Sequence, residues 1–313
     1  MTNDIRKAGV SVCFVGRKLN FGSWRIRGVQ VAGARSNWEA RAAREIDDEA
    51  LDRFDVFCFV KVPDARSVER VLVRGKLAVH DVVDWWRQPR DHRKVTGSRQ
   101  ARELFLRRWR ELPPFHGHIF ACRAMYDDLA PLSPFPTVIY HHHWPELEAQ
   151  PFRDNGVRVG YEGKEKILGA WLDVIVDACR RHGMEFVSQR ILGEPVDIGF
   201  AARGVRFGGY LPDTYKSNVK LANCFGAGIP AIMPAVQASY RETATDGVAW
   251  FETPEDVDRA LGLLKDAEAR KRMGDLNKAA ASRFTLTAIA DQYEAFFTRL
   301  QSRREHGLID WAY

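Results

Sequence analysis

The chain has 313 residues, 45% apolar and 28% charged, a composition that excludes a disordered or fibrous protein and a length that suits two domains of about 150 residues. It lacks a run of eighteen apolar residues, so a membrane-spanning helix is not expected, although peripheral membrane contact stays open. The whole net charge of +6 falls in residues 1–150, and the remainder is neutral. That bias points to an anionic partner meeting the first half.

The first apolar run, VSVCFV at residues 10–15, reads as a strand rather than the core of a signal peptide. Cys13, Cys58, Cys122, Cys179 and Cys224 are scattered through apolar segments without a C-x-x-C. Buried thiols and a cytoplasmic location are therefore expected. Gly16 opens a loop that passes Gly22 into a helix from about Trp24. Strand, glycine-bearing loop and helix begin a Rossmann-like unit, here without G-x-G-x-x-G. Residues 54–60 (FDVFCFV) form the next strand, and residues 64–73 a helix.

A further strand, residues 76–83, runs into His80, Asp81 and Asp84. Open α/β sheets bind ligands at the carboxyl ends of strands. These three are the catalytic candidates, with the aspartates suited to bonding hydroxyls or moving a proton. The plainer alternative packs His80 in the sheet and uses the aspartates as helix caps. Residues 85–110 then carry nine Lys and Arg against two acids, interleaved with Trp85, Trp86 and Trp109. Arg87, Arg90, Arg93, Lys94 and Arg99 form a basic patch suited to nucleic-acid phosphates, anionic lipid or acidic sugars. A solvated loop and helix face is the simpler reading.

Strands follow at residues 118–122 and 136–140, with a short helix at 123–129 between them. His141, His142 and His143 are consecutive. Successive residues of an extended chain point to opposite faces, so no metal site is expected. Residues 146–156 read as a linker between a domain at 1–145 and one at 157–313. The pattern restarts with a strand at 157–162, Gly163 and a long helix to Arg181. Short strands at 186–188 and 196–201 precede Arg203.

Residues 215–247 read as helix, strand, turn, helix. Ser217 or Asn218 suits the first helix cap, and Gly228 with Pro230 ends that helix. Ser239 and Glu242 have capping-box spacing. A helix N-terminus carries about half a positive charge and free N–H groups, which favours phosphate. Lys216 and Lys220 flank it, and Asn223 lies near the same face. Helices at 254–264, 267–281 and 286–300 close the chain.

The run K-x-x-x-K-L-x-N-x-x-x-A-G-I-P from Lys216, followed by R-E-x-x-x-D-G from Arg241, resembles the donor-binding segment of GT-B glycosyltransferases. The closest resemblance is to family 4, which includes sucrose and glycogen synthases. The two glutamates usual in that family align with Tyr215 and Asn223 here. The resemblance implies an α/β fold of two doubly wound Rossmann-like domains facing a cleft, with helix 286–300 returning to brace the first domain. It implies that Arg203, Lys216, Asn218, Lys220, Asn223 and Glu242 bind a UDP-, GDP- or dTDP-sugar. His80 would line the pocket, and Gly16, Gly22 and Gly163 would mark loops facing the cleft. It further implies sugar transfer with retained configuration, and neither cofactor nor metal. The basic first half favours an anionic acceptor: a hydroxylated base in DNA, or a phospholipid or acidic saccharide. A GT-B epimerase and a non-catalytic polyanion-binding protein are the alternatives.

Overall fold

The computed structural model describes residues 9–16, 22–84, 98–188, 195–205 and 209–309. Arg87, Arg90, Arg93 and Lys94 lie outside the described residues, and Arg99 falls in the first turn of a helix. The first half forms six parallel strands: β1 (Val12–Gly16), β2 (Trp38–Ala42), β3 (Val56–Val60), β4 (Leu77–Asp81), β5 (Gly117–Phe120) and β6 (Pro136–Val138), in the order β2-β1-β3-β4-β5-β6. Every residue of β1, β3 and β4 is buried. Strands buried along their whole length, apolar throughout in β3 and up to Val79 in β4, are what a sheet covered on both faces requires.

One face carries α2 (Asp48–Arg53) and α3 (Ala65–Val73), which close over Cys13, Val15, Phe57 and Phe59. The other face is covered by the helix α1, residues 22–32, whose Arg25–Gln30 stretch is π-helical, and by the last helix of the chain. Gly16 makes room for the Trp24 indole, because a Cβ there would sit 2.4 Å from its ring. Two further helices, α4 (Ser98–Arg110) and α5 (Arg123–Leu129), flank β5.

The second half forms five parallel strands: β7 (Arg158–Tyr161), β8 (Glu185–Val187), β9 (Ile198–Phe200), β10 (Ala231–Pro234) and β11 (Val248–Phe251), in the order β11-β10-β9-β7-β8. Its helices are α6 (Trp171–His182), α7 (Tyr210–Thr214), α8 (Val219–Ala227), α9 (Ala238–Thr243), α10 (Pro254–Leu264) and α11 (Ala267–Ala280). Gly228 ends α8 at φ +66, a left-handed conformation costly to other residues. The last helix, α12 (Leu286–Glu305), returns to the first sheet, where Tyr293, Phe296, Phe297 and Leu300 join Phe14, Val56 and Val79 in one core.

The halves also meet through a mixed core, in which Phe105, Trp109, Phe120 and Met125 pack with Leu211 and Tyr215. The Tyr210 and Tyr215 hydroxyls both donate to Asp128, at 2.7 and 2.5 Å. Two expected caps are corrected. Asn218 stands at the N-cap of α8 but makes no side-chain cap; its Oδ1 instead accepts the His141 N–H at 2.9 Å. Ser239 and Glu242 lie inside α9, which starts after Gln237, so no capping box forms. All five cysteines are free and buried. Among the described residues no helix is long and apolar enough to cross a membrane.

Candidate anion site in the interdomain cleft

Doubly wound sheets bind ligands where the strand order reverses, beyond the carboxyl ends of the strands. Here that point lies between β1 and β3 in the first sheet and between β7 and β9 in the second. Gly22, Arg25 and Ile26 after β1, Glu162 and Gly163 after β7, and Val219 and Asn223 of α8 line one cavity of about 200 Å³. Two of the expected cleft glycines, Gly22 and Gly163, are thus in its wall, whereas Gly16 is filled over by Trp24.

Lys61 directly follows β3, and Asp84 lies three residues after β4. Their ion pair is 2.9 Å long, and Lys216 of the second half reaches the same carboxylate at 3.1 Å. Two backbone outliers shape this contact: Lys61 at φ 68 and Val83 at φ 62. A β-branched residue in that region carries strain on the order of 1–3 kcal/mol. The turn is tight, with Asp84 N–H donating to the Val82 carbonyl at 2.6 Å. Burial alone would raise the Asp84 carboxyl, but Lys216 and Lys61 hold it below its ordinary value.

Lys220, in the first turn of α8, follows four positions after Lys216, which precedes the helix, and rests over the Tyr161 ring, 4.0 Å from its centroid. Burial, opposed by Glu162 and reinforced by Arg203 and Lys216, pushes its ammonium down to about 7. Burial lowers Lys216 as well, with Asp84 opposing and Arg203 and Lys61 adding to the effect. Lys61 and Arg203 thus act on Lys216, and Arg203 and Lys216 on Lys220, with Asp84 and Glu162 as the carboxylates among them. Arg203 has no ion pair among the described residues. Glu162 is held by Asn223, whose Nδ2 donates to it at 2.7 Å while its Oδ1 accepts the Trp144 N–H at 2.9 Å. Asn223 is thus a brace between the two walls. Burying unmatched positive charge is costly unless an anion accompanies it.

Two of the catalytic candidates, His80 and Asp81, are fully buried within the first half. His80 is fully buried, stacked on Phe115 at 5.1 Å, with Nε2 3.3 Å from the Lys61 carbonyl oxygen. Its ring also lies against Trp109 and His118, and burial lowers it to about 4. Asp81 is also fully buried and accepts two bonds from Arg27, each 2.9 Å, and one from the Tyr293 hydroxyl. Arg27 further donates to the carbonyls of Ile139 and Tyr140. Both side chains are without solvent exposure, and the Asp81 carboxylate is taken up by Arg27 and Tyr293.

Glu242 reaches out of α9 to the first half, where its carboxylate accepts the N–H groups of Arg123 and Ala124 at 2.7 and 2.8 Å and the Tyr140 hydroxyl at 3.1 Å. It caps α5. The three histidines are buried at the crossing between the halves, and no metal-holding group of side chains occurs among the described residues. Lys61, Tyr161 and Glu162 escaped the sequence reading. The rule that singled out Asp84, a polar residue just past a buried strand, applies equally to Lys61 and Glu162.

No family model and no curated protein matches the chain. Among solved structures it is similar to TarM, at a TM-score of 0.55 and 9% identity over 77% of this chain and 54% of that one. It is similar to the GtfA/B complex at 0.50 and 12%, over 80% and 57%. A structure described as trehalose-6-phosphate from E. coli bound with UDP-2-fluoro glucose gives 0.52 and 9%, over 93% and 99%. The chain spans about half the length of the first two. At these identities the likeness establishes the architecture. Two doubly wound parallel sheets, a cleft between them and a terminal helix returning to the first sheet make this a GT-B fold.

Proposed function

We propose that the chain transfers a sugar from a nucleotide-sugar to a hydroxyl of an acceptor. The observation that carries this reading is the surplus of positive charge at the start of α8, where Lys216, Lys220 and Arg203 gather with Lys61 around two carboxylates. Fixed cations beside a helix N-terminus stabilise a departing diphosphate as its charge develops, and this role requires no metal. The GT-B likeness, which includes a structure with UDP-2-fluoro glucose bound, supports a nucleoside diphosphate as the anion.

Asp84 is held in its charged form by two lysines, which makes it a weak proton acceptor. With His80 and Asp81 buried, this favours the retaining course, in which the leaving phosphate takes the acceptor's proton. The +6 charge of the first 150 residues supports an anionic acceptor, with a hydroxylated DNA base as one version.

The test is a thermal-shift series with UDP, GDP and dTDP in metal-free buffer, on wild type and Lys220→Ala. Ligand at 100 times its dissociation constant adds about 2.7 kcal/mol. Stabilisation by one diphosphate, lost in the variant, supports the donor site and selects sugar donors for transfer assays on DNA, lipid and saccharide. Turnover of the nucleotide-sugar without an acceptor would favour an epimerase instead. Absence of stabilisation by all three overturns the proposal.

A further inference from the structure

We infer that Asp84 is a built-in counter-ion holding the place of a ligand phosphate in the cleft, and that Lys61 of the first half joins Lys216 in holding the phosphate that displaces it. The inference rests on the donor-site reading above and extends it to a residue outside the second half.

The contact joins the two halves: Lys61 and Asp84 come from the ends of β3 and β4, Lys216 from the residues before α8. One carboxylate lies against two ammonium groups, and the positive charge of Arg203 and Lys220 adds to that around Lys216. Asp84 and Glu162 together supply two negative charges to these four cations, and among the described residues only Asp84 pairs with Lys61 and Lys216. A phosphate group supplies about −1.5 to −2 near pH 7 and three acceptor oxygens. It therefore satisfies Lys61 and Lys216 together better than Asp84 does, with capacity left for a third donor.

The backbone is consistent with a contact made for exchange rather than for stability. Lys61 and Val83, the residues that aim this pair, both sit in the left-handed region. Asp84 is nearly buried, at 8% side-chain exposure, yet the lysines on either side remain 31% and 25% exposed and so open to an incoming group. The Arg27–Asp81 pair, fully buried on both sides, offers no such opening.

Titration calorimetry with inorganic pyrophosphate and with UDP, in metal-free buffer, tests this on wild type, Asp84→Asn, Asp84→Glu and Lys61→Met. Removal of the internal competitor is expected to tighten pyrophosphate binding by about tenfold in Asp84→Asn, with Asp84→Glu close to wild type. Lys61→Met is expected to weaken it by about tenfold; each such factor corresponds to about 1.4 kcal/mol. Denaturation of each variant without ligand separates loss of fold from loss of site. Weaker binding in Asp84→Asn would mean that Asp84 organises the lysines and would overturn the inference, as would unchanged binding in Lys61→Met. If wild type binds pyrophosphate but no nucleoside diphosphate, the inference stands and the sugar-transfer reading falls. If it binds neither, both fall.

Discussion

Two charge clusters lie at the carboxyl end of β4, and they differ in charge balance and in exposure. Around Asp81 there is one cation for one anion, both without solvent exposure. The Arg27 Nε, Nη1 and Nη2 are all donating, and Tyr293 of α12 adds its hydroxyl. Around Asp84 the cations outnumber the carboxylates and stay partly open. A balanced, saturated cluster has no capacity left for a ligand, and its work is to join α1, β4 and α12. The unbalanced cluster is tolerable in a folded protein because solvent, or an anion, completes it.

The largest effect should come from unbalancing the first cluster. Asp81→Asn leaves the Arg27 guanidinium buried without a counter-charge, which typically costs ~3–5 kcal/mol. A urea midpoint far below wild type is expected, with nucleoside diphosphate affinity unchanged in the fraction that folds. The second cluster should respond the other way. Lys220→Ala removes a cation that burial already disfavours, so unliganded stability should hold or rise. The stabilisation from saturating diphosphate, about 2.7 kcal/mol at 100 times the dissociation constant, should vanish. If Lys220→Ala instead unfolds the protein, the two clusters are not different in kind.

Much of this contrast was legible in the chain, though not the assignment of its members. The unbroken apolar runs of β1 and β3 and the Gly228–Pro230 helix stop identified the doubly wound pattern directly. β2 went unseen because its sequence, WEARA, places Glu39 and Arg41 on an edge strand with little apolar signal. α7 went unseen because it is five residues long and contains Pro212. His80, Asp81 and Asp84 sit within five positions on one strand end, and sequence spacing ranks them equally. Alternation along β4 and the turn at Val83 send them to different environments, and Arg27, 54 positions away, claims one of them. Partners that distant leave no local trace.

A smaller effect sharpens the contrast through pH. The Lys220 ammonium is pushed from 10.5 to about 7, mainly by burial. The charged form is the one that holds a diphosphate, so affinity should fall as pH rises above 7, approaching tenfold per unit. Stability without ligand should move oppositely. Between 7 and 10.5 the unfolded chain binds the proton that the folded one has released, so Lys220 contributes a rise in stability with pH over that window. Calorimetry from pH 7 to 9 checks the first slope and denaturation the second, with Lys220→Met as the control that flattens both. Parallel slopes would remove Lys220 from the site.

The smallest effect concerns Glu242, which decides how far the cleft cluster extends. The resemblance to donor-binding segments assigns this glutamate to the sugar, yet its carboxylate is taken up by the two free N–H groups at the start of α5 and by Tyr140. As a cap it stabilises by about 1 kcal/mol, within a usual range of about 0.5–2. Because that cap crosses from α9 to the first half, its loss should weaken the contact between the halves without touching Lys216 or Lys220. Glu242→Ala is therefore expected to shift the denaturation midpoint modestly and leave the affinities for UDP and for a UDP-sugar each at the wild-type value. A selective loss of UDP-sugar affinity would instead place Glu242 against the donor, which requires it to leave α5 when a ligand binds. In that case the capped arrangement belongs to the empty protein alone, and the contrast between fixed and exchangeable contacts would extend from Asp84 to a second carboxylate.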